Sequence, residues 1–340
     1  MITAKTIAEK LNISPSAVSF ALNGRPGVSE ATRAKVIAEA SKLGYKQRKL
    51  RPDATQNIRF VIFLGNNEDV IKETSFYSYV LQGLEKCARD LGYNVLVSYY
   101  RIDEDITSQI DAISADTLGI VILGTAVNRS YLPQLQPLFD LQLPVVMVDN
   151  YIEDFHIDCV VSDNMQGVYN ATKYLLQKGY SSLGYIRSKM NIDNFTKRQE
   201  GFYKAYNEVN LAMPPVLIDV GISSQRAFDD MSAWLNNGNM PPRALLADND
   251  VIAASCIRAL KAHGYRVPGD VAIIGFDNMP ICTMIDPPLT AIDVNKNLMG
   301  WTAMTLLHNR IQVLIGDPSA NDDGTLLIYV STGLIEREST

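Results

Sequence analysis

The chain has 340 residues, 47% of them hydrophobic and 20% charged, with a formal net charge of −6. This composition excludes disorder for most of the chain, and no apolar run reaches the roughly 18–20 residues that a membrane-spanning helix needs. The four cysteines are far apart and the three histidines are scattered, which argues against a disulfide framework and a metal site. The N-terminus lacks a signal-peptide core, and a reducing cytoplasm fits both observations. No cofactor is expected.

The net charge conceals a division near residue 59. Residues 1–59 carry 11 Lys/Arg against 4 Asp/Glu, a net +7, whereas residues 60–340 carry 20 against 33, a net −13. Such an asymmetry indicates that the two parts of the chain have different partners.

Three short helices are predicted in the basic segment 1–45. Ile7 and Leu11 recur at helical spacing in the first, and Ser14 before Pro15 is typical of the N-cap and first position of the second. Ser29 caps the third. The apolar stripe of the third helix includes Ala34, Val36, Ile37, Ala40 and Leu43. Because a tight turn joins the first two helices, the pattern predicts a helix-turn-helix.

The second predicted helix has a polar side that suits the major groove of DNA. Serine hydroxyls can bond phosphates or base edges, and Phe20 can contact a thymine methyl group. A helical cap or a protein-binding module is the alternative, which the local charge of +7 disfavours. The candidate DNA-binding residues are Thr6, Ser14, Pro15, Ser16, Ser19, Phe20, Asn23, Arg25, Lys46 and Arg48.

The head has a specific family resemblance. The stretches TIAEKLNISPSAVSFALNG (residues 6–24), VSEATRAKV (28–36) and LGY (43–45) resemble the DNA-binding head of the LacI/GalR family of transcriptional regulators. The resemblance implies a helix-turn-helix domain over residues 1–45 that binds a pseudo-palindromic operator as part of a homodimer.

The linker, residues 46–57, departs from the pattern of that family. Its sequence KQRKLRPDATQN lacks the Pro-Asn and Ala-Arg-x-Leu of the hinge helix that enters the minor groove, and Pro52 disfavours a helix. We therefore do not assign the wedge leucine to Leu50. Lys46 and Arg48 are interpreted as phosphate contacts, with a solvated basic linker as the alternative.

From residue 58, short apolar runs alternate with amphipathic stretches. The predicted strands are 60–64, 95–99, 119–123, 144–148, 183–186, 244–247 and 271–274, and the predicted helices are 77–91, 167–178, 198–208, 224–235 and 252–263. This alternation predicts an α/β core of two doubly wound parallel-sheet subdomains with a ligand cleft at the carboxyl ends of the strands. Nucleotide, hydrolase and metalloprotease motifs are absent, so we expect no catalytic residues and no enzyme.

The body resembles the periplasmic-binding-protein-like core of the same family. The matching stretches are LPVVMVD (143–149), VSDN (161–164), RQEGF (198–202), ADND (247–250), VPGDVAIIGFDN (267–278) and PLT (288–290). The resemblance implies a core over residues 58–340. Its N-subdomain comprises 58–161 and 291–322, and its C-subdomain 162–290 and 323–340. The strand 326–332 is assigned to the C-subdomain, and rotation of one subdomain against the other is expected on ligand closure.

The resemblance also implies an effector site in the cleft. Arg198 matches the family arginine that faces the effector, and acids or amides after several strands suit a polyol, although each alone could be a helix N-cap, Asp250 above all. Ile192 stands where the purine-binding branch has an arginine, which favours a sugar over a purine. The candidate effector-binding residues are Phe76, Tyr77, Asp149, Asn194, Arg198, Ile222, Asn249 and Asp277.

These observations predict a ligand-responsive transcriptional regulator, a repressor, that binds double-stranded operator DNA as a dimer. The expected effector is a sugar or sugar phosphate, and some members of the family instead need a phosphocarrier protein as co-regulator. A transport-type solute-binding protein without DNA function, or a sugar or nucleotide enzyme, are the alternatives. The chain is expected in the cytoplasm, with no membrane partner.

Overall fold

The computed structural model describes residues 4–14, 17–18, 21, 28–43, 56–64, 75–101, 104, 106, 117–125, 127–153, 155–190, 192–209, 211, 213–316 and 324–340. Within these residues the chain forms a small helical head followed by a core of two six-stranded sheets.

The head is held together by apolar faces of its helices, as the spacing predicts. Helix α1 (Ala4–Leu11) and helix α2 (Glu30–Lys42) flank a helical segment at residues 17–18 and 21. The buried cluster consists of Ile7, Ala8, Val18, Ala21, Val36 and Ala40. Ser14 is confirmed as an N-cap, because its Oγ accepts a hydrogen bond from the Ala17 N–H at 3.1 Å. Ala34 and Ile37 depart from the predicted stripe of α2, because both are exposed, Ile37 by 50%.

The first sheet contains six parallel strands in the order β11-β5-β4-β3-β1-β2. The strands are β1 (Asn57–Leu64), β2 (Asn94–Arg101), β3 (Thr117–Leu123), β4 (Val145–Val148), β5 (Asp158–Ser162) and β11 (Leu327–Val330). All residues of β3 are buried, which explains why its sequence is continuously apolar rather than alternating.

The second sheet has the order β12-β10-β9-β8-β6-β7 and is parallel except for β12, which runs antiparallel to β10. Its strands are β6 (Leu183–Ser188), β7 (Val216–Val220), β8 (Ala244–Ala247), β9 (Ala272–Asp277), β10 (Thr290–Val294) and β12 (Thr332–Ile335). The predicted fold class, two doubly wound subdomains behind a helix-turn-helix head, is confirmed.

Helices connect the strands of both sheets. They are α3 (Phe76–Asp90), α4 (Leu132–Phe139), α5 (Asn164–Gln177), α6 (Asp193–Asn207), α7 (Ser224–Asn236), α8 (Asp250–Ala262), α9 (Ile281–Met284) and α10 (Lys296–Gly316). Across the described part of the chain, none of the helices combines the length and apolar character needed to cross a membrane.

Two subdomain boundaries differ from the prediction. The run 326–332 was assigned to the second subdomain, but β11 pairs in parallel with β5 of the first sheet, and only β12 enters the second. The run is split at Ser331, so one apolar stretch supplies strands to both sheets. Likewise residue 291 does not begin the return to the first subdomain, because β10 extends to Val294 within the second sheet.

The chain therefore passes between the subdomains three times, after Ser162, after Val294 and at Ser331, and the three connections lie side by side. The Asp163 N–H donates to the Val330 carbonyl at 3.0 Å, and Val294 is paired with Thr332. Hydrogen bonds thus join the third connection to both of the others.

Helices α3 and α10 approach each other closely because each carries a glycine at the contact. A Cβ atom on Gly300 would overlap the carbonyl oxygen of Val80, and one on Gly83 would overlap the carbonyl oxygen of Asn297. Any side chain at these positions forces the two backbones apart.

We expect Gly300→Ala to lower the free energy of unfolding by about 2 kcal/mol, because overpacking costs roughly 1–3 kcal/mol and outweighs the better helix propensity of alanine. Urea denaturation of the full chain measures the loss. Gly333→Ala is the control, since a Cβ there meets no atom within 4 Å. Equal midpoints for the two variants would contradict the role assigned to the glycine contact.

Candidate functional site

A cleft opens between the two sheets, at the carboxyl ends of their strands. The space between its walls, counted together with the open solvent at its mouth, is about 490 Å³. Its lining residues are Phe76, Tyr77, Leu123, Thr125, Asp149, Ile192, Asn194, Phe195, Arg198, Asn249 and Asp277. The structure thus brings together seven of the eight candidate effector-binding residues.

The eighth candidate, Ile222, lies behind the lining. It is buried in a small cluster with Ile192 and Phe195, which themselves face the cleft. Ile222 therefore supports the apolar wall and does not form part of its surface.

Two aspartates stand at strand ends in left-handed backbone conformations. Asp149 follows β4 with φ 65°, and Asp277 ends β9 with φ 100°. Asp is one of the few residue types besides glycine that adopts this region at modest cost, and such residues cluster at functional sites. The turns direct both carboxyl groups to the cleft.

Arg198 is the central cation of the cleft, and it is only 4% exposed. Its Nε donates to Asn164 Oδ1 at 2.8 Å, one Nη donates to the Asp248 carbonyl, and the other reaches Asp277 Oδ1 at 3.4 Å. The guanidinium plane also lies 3.6 Å from the ring centre of Phe276. Hydrogen bonds and an aromatic face thus compensate for the lost hydration of the charge.

Hydrogen bonds span the cleft between the subdomains. Asn194, on α6 of the second subdomain, donates to the Asp149 carbonyl at 2.8 Å and to Asp149 Oδ1 at 3.2 Å. Asn164 donates to Asn194 Oδ1 at 3.1 Å, which orients the amide. Thr125 donates to the other oxygen of Asp149. Asp149 is therefore held by both subdomains.

Asn249 has a structural role besides its place in the lining. Its side chain is the N-cap of α8 and accepts from the Ile252 N–H at 2.9 Å. The suggested N-cap Asp250 is instead the first helical residue, and its Oδ2 accepts from the Met279 N–H at 2.7 Å. The N-cap alternative thus applies to Asn249 and not to Asp250.

The carboxyl groups around the cleft are buried, and burial penalises their charged forms. Desolvation raises the pKa of Asp149 to about 7, partly offset by hydrogen bonds from Thr125 and by the charge of Arg198. It also raises the pKa of Asp248 to about 7, partly offset by the Ser188 N–H and the Tyr185 hydroxyl. Desolvation, followed by the charge of Asp277, raises the pKa of Asp250 well above its ordinary value.

Several residues of the site were missed from the sequence. Thr125 and Asp248 follow β3 and β8 closely, so the rule that strand ends meet at the cleft could have identified them. Asn164 lies two residues after β5, so the same rule applies to it, whereas Phe195 lines the cleft from α6, which the rule does not reach.

Two of the candidate DNA-binding residues lie in the described part of the head. Thr6 lies partly buried on α1, and Ser14 is exposed at the start of the second helical segment. The remaining candidate DNA-binding residues, Pro15, Ser16, Ser19, Phe20, Asn23, Arg25, Lys46 and Arg48, lie outside the described residues. Among the residues that are described, no group of His, Cys, Asp and Glu could hold a metal ion.

Two family models match the chain. Residues 3–47 match bacterial regulatory proteins of the lacI family, and residues 172–340 match a periplasmic binding protein-like domain. A relative from Aliivibrio salmonicida named HTH-type transcriptional repressor PurR is 28% identical over 92% of this chain and 93% of its own length. The HTH-type transcriptional repressor CytR of Escherichia coli K12 is 29% identical over 97% of this chain and 96% of its own.

Solved structures share the fold over the whole chain. A complex of the transcriptional regulator CelR with cellobiose has a TM-score of 0.71 at 20% identity and covers 100% of both chains. The lac repressor dimer bound to operator and the anti-inducer ONPF has a TM-score of 0.69 at 20% identity, covering 100% of this chain and 99% of its own. A LacI family regulator from Enterococcus faecium with bound ribose has a TM-score of 0.68 at 22% identity over 83% of this chain and 98% of its own.

We expect Asp149→Asn to flatten the pH dependence of stability between about pH 4 and pH 7. Because the pKa of Asp149 is raised to about 7, the folded state holds a proton that the unfolded state has lost, so wild-type stability falls as pH rises through this window. One such proton contributes about 1.4 kcal/mol per pH unit.

Urea denaturation of the full chain at pH 5, 6 and 7 measures this slope. Asp270→Asn is the control, because Arg266 holds the pKa of Asp270 below its ordinary value and its charge is the same in both states over this range. An unchanged slope in Asp149→Asn would show that Asp149 does not bind the proton.

Proposed function

The chain belongs to the lacI family of bacterial regulatory proteins and is a ligand-responsive, DNA-binding transcriptional regulator; we propose that it represses transcription by binding a pseudo-palindromic operator as a homodimer. The proposal rests above all on the presence, in one chain, of a helix-turn-helix head and a two-sheet core with a polar cleft. We propose that the cleft binds the small molecule that controls repression, and that the protein acts in the cytoplasm, where its DNA target is.

The cleft suits a ring that carries hydroxyl groups. Asp149 and Asp277 offer carboxyl oxygens to the cleft, and Phe76 and Tyr77 offer aromatic surface. Carboxylates accept hydrogen bonds from neighbouring hydroxyls, and aromatic faces pack against the C–H side of a sugar ring. Ile192 and Phe195 add an apolar wall. These features support a sugar-like effector.

An uncharged sugar fits better than a sugar phosphate. The nitrogens of Arg198 already donate to Asn164, Asp248 and Asp277, so the guanidinium group is engaged within the protein. A phosphate in the cleft would also lie near the carboxyl groups of Asp149 and Asp277. An anion there would raise the pKa of both carboxyl groups further, because a like charge disfavours their ionised forms.

The alternatives receive less support. The relatives are named as transcriptional repressors and not as enzymes, which supports a role without catalysis. The match of residues 3–47 to the lacI family argues against a transport-type solute-binding protein without DNA function.

When duplexes are selected from a random library by their binding to the full chain, an inverted repeat should be enriched. Because phosphate contacts release counterions, we expect affinity for the selected duplex to fall at least 100-fold between 50 and 200 mM salt. Fluorescence anisotropy measures the affinity. Selection without an enriched inverted repeat, or an affinity that is insensitive to salt, would overturn the operator proposal.

Arg198→Ala should lose the response to the effector and keep affinity for the selected duplex. Arg198 holds Asn164, the Asp248 carbonyl and Asp277 in place, so its loss leaves buried acceptors around the cleft unpaired and effector binding should weaken at least tenfold. A panel of monosaccharides, disaccharides, sugar phosphates and nucleosides identifies the effector through its effect on DNA binding. The panel repeated with a phosphorylated phosphocarrier protein tests the need for a co-regulator.

Arg266→Ala is the matched control, since this arginine is in the same subdomain but its side chain is 79% exposed and paired with Asp270. It should respond as the wild type does. A normal response in Arg198→Ala would show that the effector binds elsewhere.

A further inference from the structure

Lys296 is a buried lysine at a connection between the subdomains. It is the first residue of α10, directly after the crossing from β10, and it is 8% exposed. Its backbone belongs to the helix that packs on α3 in the first subdomain. Its ammonium group donates to the Asp277 carbonyl and, at 2.9 Å, to the Val294 carbonyl, both in the second sheet.

The ammonium group lies next to the cleft without belonging to its lining. It is 5.9 Å from the ring centre of Phe76, a lining residue of the first subdomain. Lys296 thus contacts the backbone carbonyl group of Asp277, and the carboxyl group of Asp277 faces the cleft. Nothing in the sequence marked Lys296 as a site residue.

The carboxyl group of Asp277 is surrounded by groups of both charges. The charged and titratable groups that act on it or that it acts on are Arg198, Lys296, Asp250, Asp149 and Cys282. Burial raises the pKa of Asp277, whereas the charges of Arg198 and then Lys296 lower it. The ammonium charge of Lys296 also lowers the pKa of Asp250. Lys296 therefore opposes protonation of two buried carboxyl groups.

The charge state of Asp277 decides what the cleft can bind. An ionised carboxylate accepts hydrogen bonds at both oxygens, whereas a protonated one must donate at one of them. A buried carboxylate without sufficient compensation takes up a proton. The left-handed turn at Asp277 also needs support from neighbouring groups, and the bond from Lys296 to its carbonyl supplies it.

We propose that Lys296 is a positioning residue for the cleft, which fixes the backbone of Asp277 and favours the ionised form of its carboxyl group, and so ties the ligand-binding edge of the second sheet to α10 of the first subdomain. The inference rests on the proposed function only for the identity of the cleft as the effector site. The contacts of Lys296 need no ligand, and its role can be measured without one.

The test is the stability of the full chain without ligand, by urea denaturation at pH 5 and pH 8. Lys296→Gln keeps hydrogen-bond donors and removes the charge. Relative to the wild type, its folding equilibrium constant should fall at least tenfold further at pH 8 than at pH 5, because burial raises the pKa of Asp277 and its carboxyl group is therefore more ionised at the higher pH. Lys296→Arg restores the cation and should remove most of this difference.

Two comparisons isolate the cause. Lys189→Gln is the control, because this lysine has a 53% exposed side chain and pairs with Asp230 at 2.8 Å. The loss of stability in Lys189→Gln should be equal at both pH values. In an Asp277→Asn background, the pH-dependent part of the Lys296→Gln effect should fall by more than half. The remainder reflects Asp250.

A loss of stability that is equal at pH 5 and pH 8, or one that persists unchanged in the Asp277→Asn background, overturns the proposal. If Lys296→Gln does not fold at either pH, folding of Lys296→Arg supports a requirement for the cation, and failure of both variants overturns it. None of these outcomes depends on whether a sugar binds, so the inference and the proposed function fail separately.

Discussion

The desolvation of one arginine determines the design of this cleft. A guanidinium group that is 4% exposed must replace its water with hydrogen-bond acceptors and an aromatic face. The chain supplies these from α5, from the end of β8 and from β9, so three separate segments of the second subdomain must be in register for Arg198 to be stable. The parallel sheet makes this possible, because the carboxyl ends of its strands meet at one edge.

Much of the fold follows from periodicity, since buried parallel strands are short apolar runs and their covering helices are amphipathic. Of the seven predicted cleft residues, Asp149, Asn249 and Asp277 follow from strand ends, whereas the four on helices could be predicted only from the family resemblance. The assignment of 326–332 was wrong because hydrophobicity records burial and not the pairing partner, and both sheets bury this run. Lys296 was missed because its contacts are with carbonyl groups, which every residue type carries.

The polar groups of the cleft are bonded to one another. Asn194 holds Asp149 across the cleft, and Thr125 occupies its other oxygen. A ligand hydroxyl therefore replaces existing hydrogen bonds and adds few new ones, so the net gain per polar contact is modest. The selectivity of such a site comes largely from mismatch, because a molecule that displaces these bonds without restoring them leaves buried groups unpaired.

The side-by-side arrangement of the three connections has a mechanical consequence. Because the segment at Ser331 is bonded to both of its neighbours, we expect the three connections to move together if one subdomain rotates against the other. Closure of the cleft would then move all three connections at once. A small molecule whose differential affinity for the two states is only 1–3 kcal/mol, about the usual size of allosteric coupling, can thereby control the position of an entire domain.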